Sequence, residues 1–456
     1  MTIRKILIAN RGEIALRVIR ACRDMGIESV QAYSSADKDS LPVQLADASV
    51  GIGGPQASES YLKGEEIIKA AKRMGADAIH PGYGFLAESP EFAEACTSAG
   101  LTFIGPQASV ISVMGNKAAA LSLALEAGVS VTPGSNGPVA DPAVAADIAR
   151  QIGFPVLIKA SAGGGGRGMR VVELETELRE ALKGASREAS VAFGNGEVYV
   201  EKYLEAVRHI EVQVYGDGKN VIHMGERDCS VQRRHQKLVE ESPSPAISPT
   251  LRDQLTAAAC RLAARVGYQG AGTVEFIVDT DTQQFYFIEM NTRIQVEHSV
   301  TEEVTGLDLV KEQIRLAGGE PLCLQQKDIR FSGHAIECRI NAEDIEAGFM
   351  PRPGEITEFV VPLGPGIRVD THVYPGYVLP PFYDSLLAKV IARGQTREEA
   401  IMRMRRALDE FKVSGVPTTI DFHKRLMVEP DFVAGQVHTR FVKEKMWAGH
   451  KMQHML

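Results

Sequence analysis

No apolar stretch in the 456-residue chain approaches the roughly 20 residues that a membrane-spanning helix needs. The first ten residues lack the apolar core and small-residue cleavage site of a signal peptide. They read instead as a strand that starts the fold at once. The six cysteines, Cys22, Cys96, Cys229, Cys260, Cys323 and Cys338, include no CxxC pair. That spacing argues against a disulfide scaffold or a zinc site and for reduced thiols in a cytosolic protein. Basic residues are outnumbered, 50 against 58, for a net charge of −8, which disfavours a global basic field for nucleic acid. The first βα turn has no G-x-G-x-x-G, and no G-x-x-x-x-G-K-[ST] occurs anywhere. Neither a dinucleotide fingerprint nor a Walker A loop is present.

What remains is a chain of ordinary globular composition, long enough for about three domains. Lys5–Ala9 is an apolar run suited to a buried parallel strand. Asn10 and Glu13 occupy N-cap and N3 positions, predicting a capping box for a helix through Ile14, Val18, Cys22 and Met25, ended by Gly26. A second strand begins at Val30, giving a βαβ unit and a Rossmann-like parallel sheet. Turn formers at 131–138 read as a hinge. The strand at 154–159 leads into a glycine-rich loop, and strands follow at 198–200 and 210–214. Thr396 and Glu399 form a capping box ahead of an amphipathic helix.

Four segments carry chemistry. Ser161-Ala162-Gly163-Gly164-Gly165-Gly166-Arg167-Gly168 follows a strand containing Lys159; its backbone N–H groups are free to meet phosphate oxygens. Glu289 and Asn291 share one face of a strand. Glu275, fourteen residues before Glu289, is expected on the neighbouring strand, so the two carboxylates can hold Mg²⁺. The run from Arg227 to Lys237 concentrates positive charge without interleaved aromatics, which suits an anionic small substrate better than RNA. His80-Pro81-Gly82-Tyr83-Gly84-Phe85 reads as a rigid βα connection that could also line a site.

Taken together these residues resemble the ATP-grasp enzymes and, among them, biotin carboxylase, from about Ile6 to Phe441. The more specific matches are Asn10-Arg11-Gly12-Glu13-Ile14-Ala15, His80 to Leu86, Gln232-Arg233-Arg234-His235-Gln236-Lys237 and Arg293-Ile294-Gln295-Val296-Glu297-His298. The resemblance implies an α/β and α+β multidomain fold. It divides into a Rossmann-like domain at 1–114, an ATP-grasp domain at 115–329 with a mobile lid at about 134–203, and a biotin carboxylase C-terminal domain at 330–447.

It also implies roles. Lys117 and Lys159 would contact ATP phosphates beneath Gly164, Gly165 and Gly166, and Glu201, Lys202 and Leu204 would form the adenine hinge. His209, Gln232 and His235 would complete the nucleotide pocket. Glu275 and Glu289, with Asn291, would bind two Mg²⁺ or Mn²⁺ ions. Lys237, Arg293, Gln295 and Val296 would hold bicarbonate. Glu297 would be the general base, and Arg339 with Tyr83 would meet biotin. The implied partners are a separate biotin carboxyl carrier protein, a carboxyltransferase and a second copy of the chain, with no nucleic acid and no membrane. The implied setting is cytoplasmic, in fatty acid synthesis through an acyl-CoA carboxylase, acetyl-CoA foremost.

Two departures stand out. Ser299 occupies the position where the family commonly has proline, which predicts a less rigid placement of Glu297. Ala162 opens the glycine run where a fifth glycine is usual. The chain has no Ala-Met-Lys-Met biotin-attachment sequence and reads on only to Leu456, from which a stand-alone subunit is expected. The alternatives are a biotin carboxylase serving pyruvate or another acyl-CoA, an ATP-grasp ligase for a different carboxylate, and a catalytically silent nucleotide-binding protein. The weakest alternative is a nicotinamide oxidoreductase.

Overall fold

A computed structural model describes residues 3–135, 137–160 and 169–446. The strand Lys5–Ile8 lies at the centre of a five-stranded parallel sheet, flanked by Glu28–Ser34 on one side and Ala78–His80 on the other. Successive side chains point to opposite faces of a strand, and here both faces are covered. Ile6 and Ile8 pack with Ile14, Val18 and Cys22, whereas Leu7 and Ala9 pack with Val30 and Ile79. This two-sided burial is the reason the strand reads as an unbroken apolar run.

The first helix spans Gly12–Asp24, and its N-cap is Arg11, without a side-chain capping bond. The capping box expected from Asn10 and Glu13 is therefore absent. Asn10 Nδ2 instead donates to the carbonyls of Pro81 at 2.6 Å and Tyr83 at 2.7 Å. Gly82 has φ +62°, and a Cβ there would stand 2.9 Å from Asn10 Nδ2. Only glycine fits that close approach in a left-handed conformation. Asn10 and Gly82 thus lock the turn that presents Tyr83.

A three-stranded sheet of Arg170–Val172, Val156–Ala160 and Val198–Lys202 packs against the helices Pro142–Ile152 and Glu175–Phe193. The largest sheet has eight strands. In spatial order they are Gln284–Asn291, Gln269–Asp279, Arg208–Asp217, Val221–Arg233, Gln236–Ser242, His334–Asn341, Leu386–Gly394 and Ile367–Thr371. The pairing of Gln236–Ser242 with His334–Asn341 carries this sheet across residue 330. The Arg397–Glu410 helix seats Ala400, Met404 and Leu408 on it, with Thr396 Oγ accepting from Glu399 N at 3.2 Å. Among the described residues no single helix is long and apolar enough to cross a membrane.

Candidate active site

The strands Gln269–Asp279 and Gln284–Asn291 pair in antiparallel register, with Glu275 directly opposite Glu289. Residues opposed in this way share a face, so the two carboxylates meet as the spacing predicts. Partial desolvation and then the charge of Glu275 raise Glu289 above the ordinary carboxylate range. Burial alone would raise Glu275 as well, but Lys237 and His209 hold it well below that range. Two acids crowded this way form a hard-oxygen donor set that suits Mg²⁺ or Mn²⁺, and a cation between them relieves the repulsion. Asn291 donates to Glu275 Oε1 at 2.9 Å while its Oδ1 accepts from Arg293 at 2.8 Å.

Lys237 is the electrostatic centre. Its ammonium contacts Glu211 at 2.5 Å, Glu297 at 2.6 Å and Glu275 at 3.0 Å. Glu297 sits at the N-cap of the His298–Thr305 helix, and its second oxygen accepts from Arg339 Nη2 at 2.8 Å. Burial alone would raise Glu297, but Lys237, then Arg339 and Arg227, hold it well below the usual carboxylate value. Arg339 also donates through Nε to Glu240 at 2.7 Å. Gln295 donates to Glu275 at 2.8 Å, and His209 Nε2 lies 3.0 Å from the same acid.

Arg293, four residues before Glu297, pairs with Glu88 at 2.8 Å. Tyr83 donates to Glu13 and lies within the electrostatic reach of Arg339. Val296 offers its carbonyl to Lys389 at 2.7 Å. Gln232 lies opposite Lys237 across the hairpin, and His235, in the turn, feels the charge of His209.

The residues expected to meet the nucleotide form a second group. Lys159 pairs with Glu201 at 2.6 Å. Lys117 starts a helix capped by Asn116 and lies within the fields of Glu289, Lys159 and Glu201. Lys202 turns away, donating to the carbonyls of Gly153 and Phe154 at 3.1 Å. Leu204 is half-buried beyond the strand end. Gly164, Gly165 and Gly166 lie outside the described residues, as do Ala162 and Trp447.

The cationic run does not form one substrate-facing patch. Arg227 is completely buried, and each of its five N–H donors has an acceptor. These are Glu211, Gln213 and Thr301 at 2.6, 2.6 and 2.9 Å, with Thr273 and Gln295 at 3.1 and 3.0 Å. It is a scaffold for the floor of the site. Arg233 lies over the Phe349 ring and bonds the Gly348 carbonyl, whereas Lys237 joins Glu211, Glu275 and Glu297. Sequence reasoning also missed Glu211, Glu240 and Glu88 as parts of the site. Glu211 alternates with Ile210 and Val212, a pattern that suggests a solvated face, yet this face is buried too.

Opposed acids on paired strands, lysines flanking them and a separate small three-stranded sheet define an ATP-grasp ligase. Family descriptions match along almost the entire chain. "Biotin carboxylase, N-terminal domain" covers residues 2–111, and "Carbamoyl-phosphate synthase L chain, ATP binding domain" covers 116–325. "Biotin carboxylase C-terminal domain" covers 337–444. Biotin carboxylase 1 of Bacillus subtilis is 56% identical over 97% of this chain and 98% of its own. A pyruvate carboxylase subunit of Methanothermobacter thermautotrophicus is 55% identical over 96% of this chain and 89% of its own. The biotin carboxylase domain of Hydrogenobacter thermophilus 2-oxoglutarate carboxylase was solved as a dimer with MgADP, ADP and bicarbonate. It superposes with a TM-score of 0.92 at 50% identity, covering 97% of this chain and 98% of that one. The chain belongs to the biotin carboxylase family of ATP-dependent ligases.

Proposed function

We propose that the chain carboxylates biotin on a separate carrier protein, using MgATP and bicarbonate, as the first half-reaction of an acyl-CoA carboxylase. The observation that carries this reading is the placement of Glu297 between Lys237 and Arg339, at 2.6 and 2.8 Å. Bicarbonate is a poor electrophile and must first attack the γ-phosphate, which requires removal of its proton. Glu297 takes that proton, while Lys237, Arg293, Gln295 and Val296 hold the anion. ADP leaves, and the resulting carboxyphosphate breaks down to CO₂ and phosphate. The released phosphate takes the N1 proton of biotin, Arg339, beside Tyr83, favours the resulting enolate, and N1 then attacks CO₂.

Lys117 and Lys159 would contact the nucleotide phosphates, a role the resemblance also gives to Gly164, Gly165 and Gly166. Glu201, the backbone of Lys202 and Leu204 would flank the adenine, and His209, Gln232 and His235 would close the pocket. Glu275, Glu289 and Asn291 would hold the divalent cation, which supplies charge neutralisation at the phosphates. The MgADP and bicarbonate in the H. thermophilus domain support these assignments. The three-part division at 1–114, 115–329 and 330–447, a homodimer, a carboxyltransferase partner and a cytoplasmic setting belong to the same reading.

Acetyl-CoA, and with it fatty acid synthesis, is the acceptor we favour. Pyruvate is the second reading, supported by the M. thermautotrophicus relative, whose name is that of a pyruvate carboxylase component. The test is Mg²⁺-dependent ATP hydrolysis with bicarbonate, with and without free biotin. Stimulation by biotin supports the reading. Hydrolysis indifferent to biotin and bicarbonate overturns it in favour of another carboxylate ligase. Pairing the product with acetyl-CoA or pyruvate carboxyltransferases then separates the two acceptors.

A further inference from the structure

Beneath Glu297 lies a group of buried polar side chains that the roles above leave unused. Lys389, on the Leu386–Gly394 strand, is fully buried. Its ammonium donates to the Val296 carbonyl at 2.7 Å and to Ser299 Oγ at 3.0 Å. It also lies 3.5 Å from Glu13 and 3.7 Å from Asp370. Ser299 Oγ in turn donates to Glu337 at 2.6 Å. Val296 and Ser299 bracket Glu297 in sequence, so one ammonium grips the turn on both sides of that residue. Lys389 is also the register partner of Arg339, and Glu13 carries the bond from Tyr83. One contact set therefore joins the base turn, the strand bearing Arg339 and the turn bearing Tyr83.

The reduced rigidity expected of Ser299 is not what the structure shows. The residue is completely buried, and its hydroxyl both donates and accepts. Burying an ammonium is unfavourable without well-placed partners. The partners found here include the backbone on one side of Glu297 and the side chain just beyond its other side. The partners of Lys389 and Ser299 do not include Glu275 or Glu289.

We propose that Lys389 and Ser299 are positioning residues, a two-point clamp that sets the Glu297 carboxylate relative to Arg339 and Tyr83. The inference rests on the proposed function, because the spacing it fixes is that between the base for bicarbonate and the groups that meet biotin. A displacement of about 1 Å at a reacting group costs about a hundredfold in rate. Loss of the hydroxyl leaves the Lys389–Val296 bond in place, so a smaller effect is expected.

The test uses the full chain with MgATP, bicarbonate and free biotin. Ser299→Ala is expected to lower kcat for biotin-dependent turnover about tenfold, with KM for ATP nearly unchanged. Ser299→Thr, which keeps the hydroxyl, restores kcat to within about threefold of wild type. Ser299→Cys keeps the volume but is a weak donor and acceptor, and shows the loss of the alanine variant. It serves in place of that variant should Ser299→Ala fold poorly. Unchanged kcat in both the Ala and Cys variants overturns the clamp. A fall in melting temperature shared by Ala, Cys and Thr, with kcat unmoved, shows a merely structural role and also overturns it. Wild-type enzyme without biotin-dependent turnover overturns the functional reading and the clamp together, whereas normal wild-type turnover that Ser299→Ala leaves intact overturns the clamp alone.

Discussion

Glu240 and Glu337 stand directly opposite each other on neighbouring antiparallel strands, both completely buried, one bonded to Arg339 and the other to Ser299. Burial, only partly offset by Arg339, pushes Glu240 up to about 7. Burial, only partly offset by Lys389 and reinforced by Glu240, pushes Glu337 up to about 8. An acid raised on folding contributes its stability below the unfolded carboxylate value of 4.5 and loses it as pH rises through the folded value. Between pH 5 and 9 this pair is therefore expected to subtract stability, by a few kcal/mol in order of magnitude, read as the difference between wild type and a variant lacking one acid. Thermal unfolding of Glu337→Gln should lack that contribution. An unchanged pH dependence in the variant would contradict the assignment.

Glu241 behaves in the opposite sense. Burial would raise it, but bonds from His334 at 2.8 Å and Arg397 at 2.7 Å hold it down to about 2. Its contribution is present above the unfolded value near 4.5 and is lost as pH falls toward 2. Replacing it with Gln should remove about 3 kcal/mol at pH 7 and much less at pH 3. Urea unfolding at the two pH values measures the difference.

Arg227 satisfies all five of its donors within the floor of the site, including Glu211 at 2.6 Å. Arg227→Met strands Glu211 and should destabilise the protein by about 3–5 kcal/mol. Urea unfolding at pH 7.5 reads this directly. A variant as stable as wild type would mean that Lys237 alone compensates Glu211.

The opposed carboxylates predict how the enzyme depends on metal. Glu289→Gln removes one donor and should raise the Mg²⁺ concentration for half-maximal ATP hydrolysis by about tenfold, consistent with the loss of one ionic ligand. Chelation of the cation should abolish hydrolysis in both proteins. A Glu289→Gln enzyme with unchanged Mg²⁺ dependence would place the ion elsewhere.

Much of this site was legible in the sequence because strand periodicity is simple. Glu275, Glu289 and Asn291 could be placed on one face from their spacing alone, and the register agrees. The resemblance carried Lys237, Glu297 and Arg339, and the fold brings Lys237 and Arg339 each within hydrogen-bond reach of Glu297. What escaped has a common physical cause. Asn10 looks like a helix cap but bonds a turn seventy residues away, because a short polar side chain serves local and distant carbonyls equally well. Glu211, Glu240 and Lys389 lie on alternating strands whose polar faces are covered by a second layer. Alternation shows which residues share a face but not whether water reaches it.

In the proposed reaction Glu297 activates bicarbonate for transfer to biotin. The most direct measurement is carboxybiotin formation from labelled bicarbonate, MgATP and free biotin by wild type and by Glu297→Gln, which preserves shape but cannot accept the proton. The account predicts labelled carboxybiotin from wild type and at least a hundredfold less from the variant, consistent with loss of a general base, with ATP affinity retained. Equal labelling by the two proteins, or none by a wild type that still hydrolyses ATP, would contradict it.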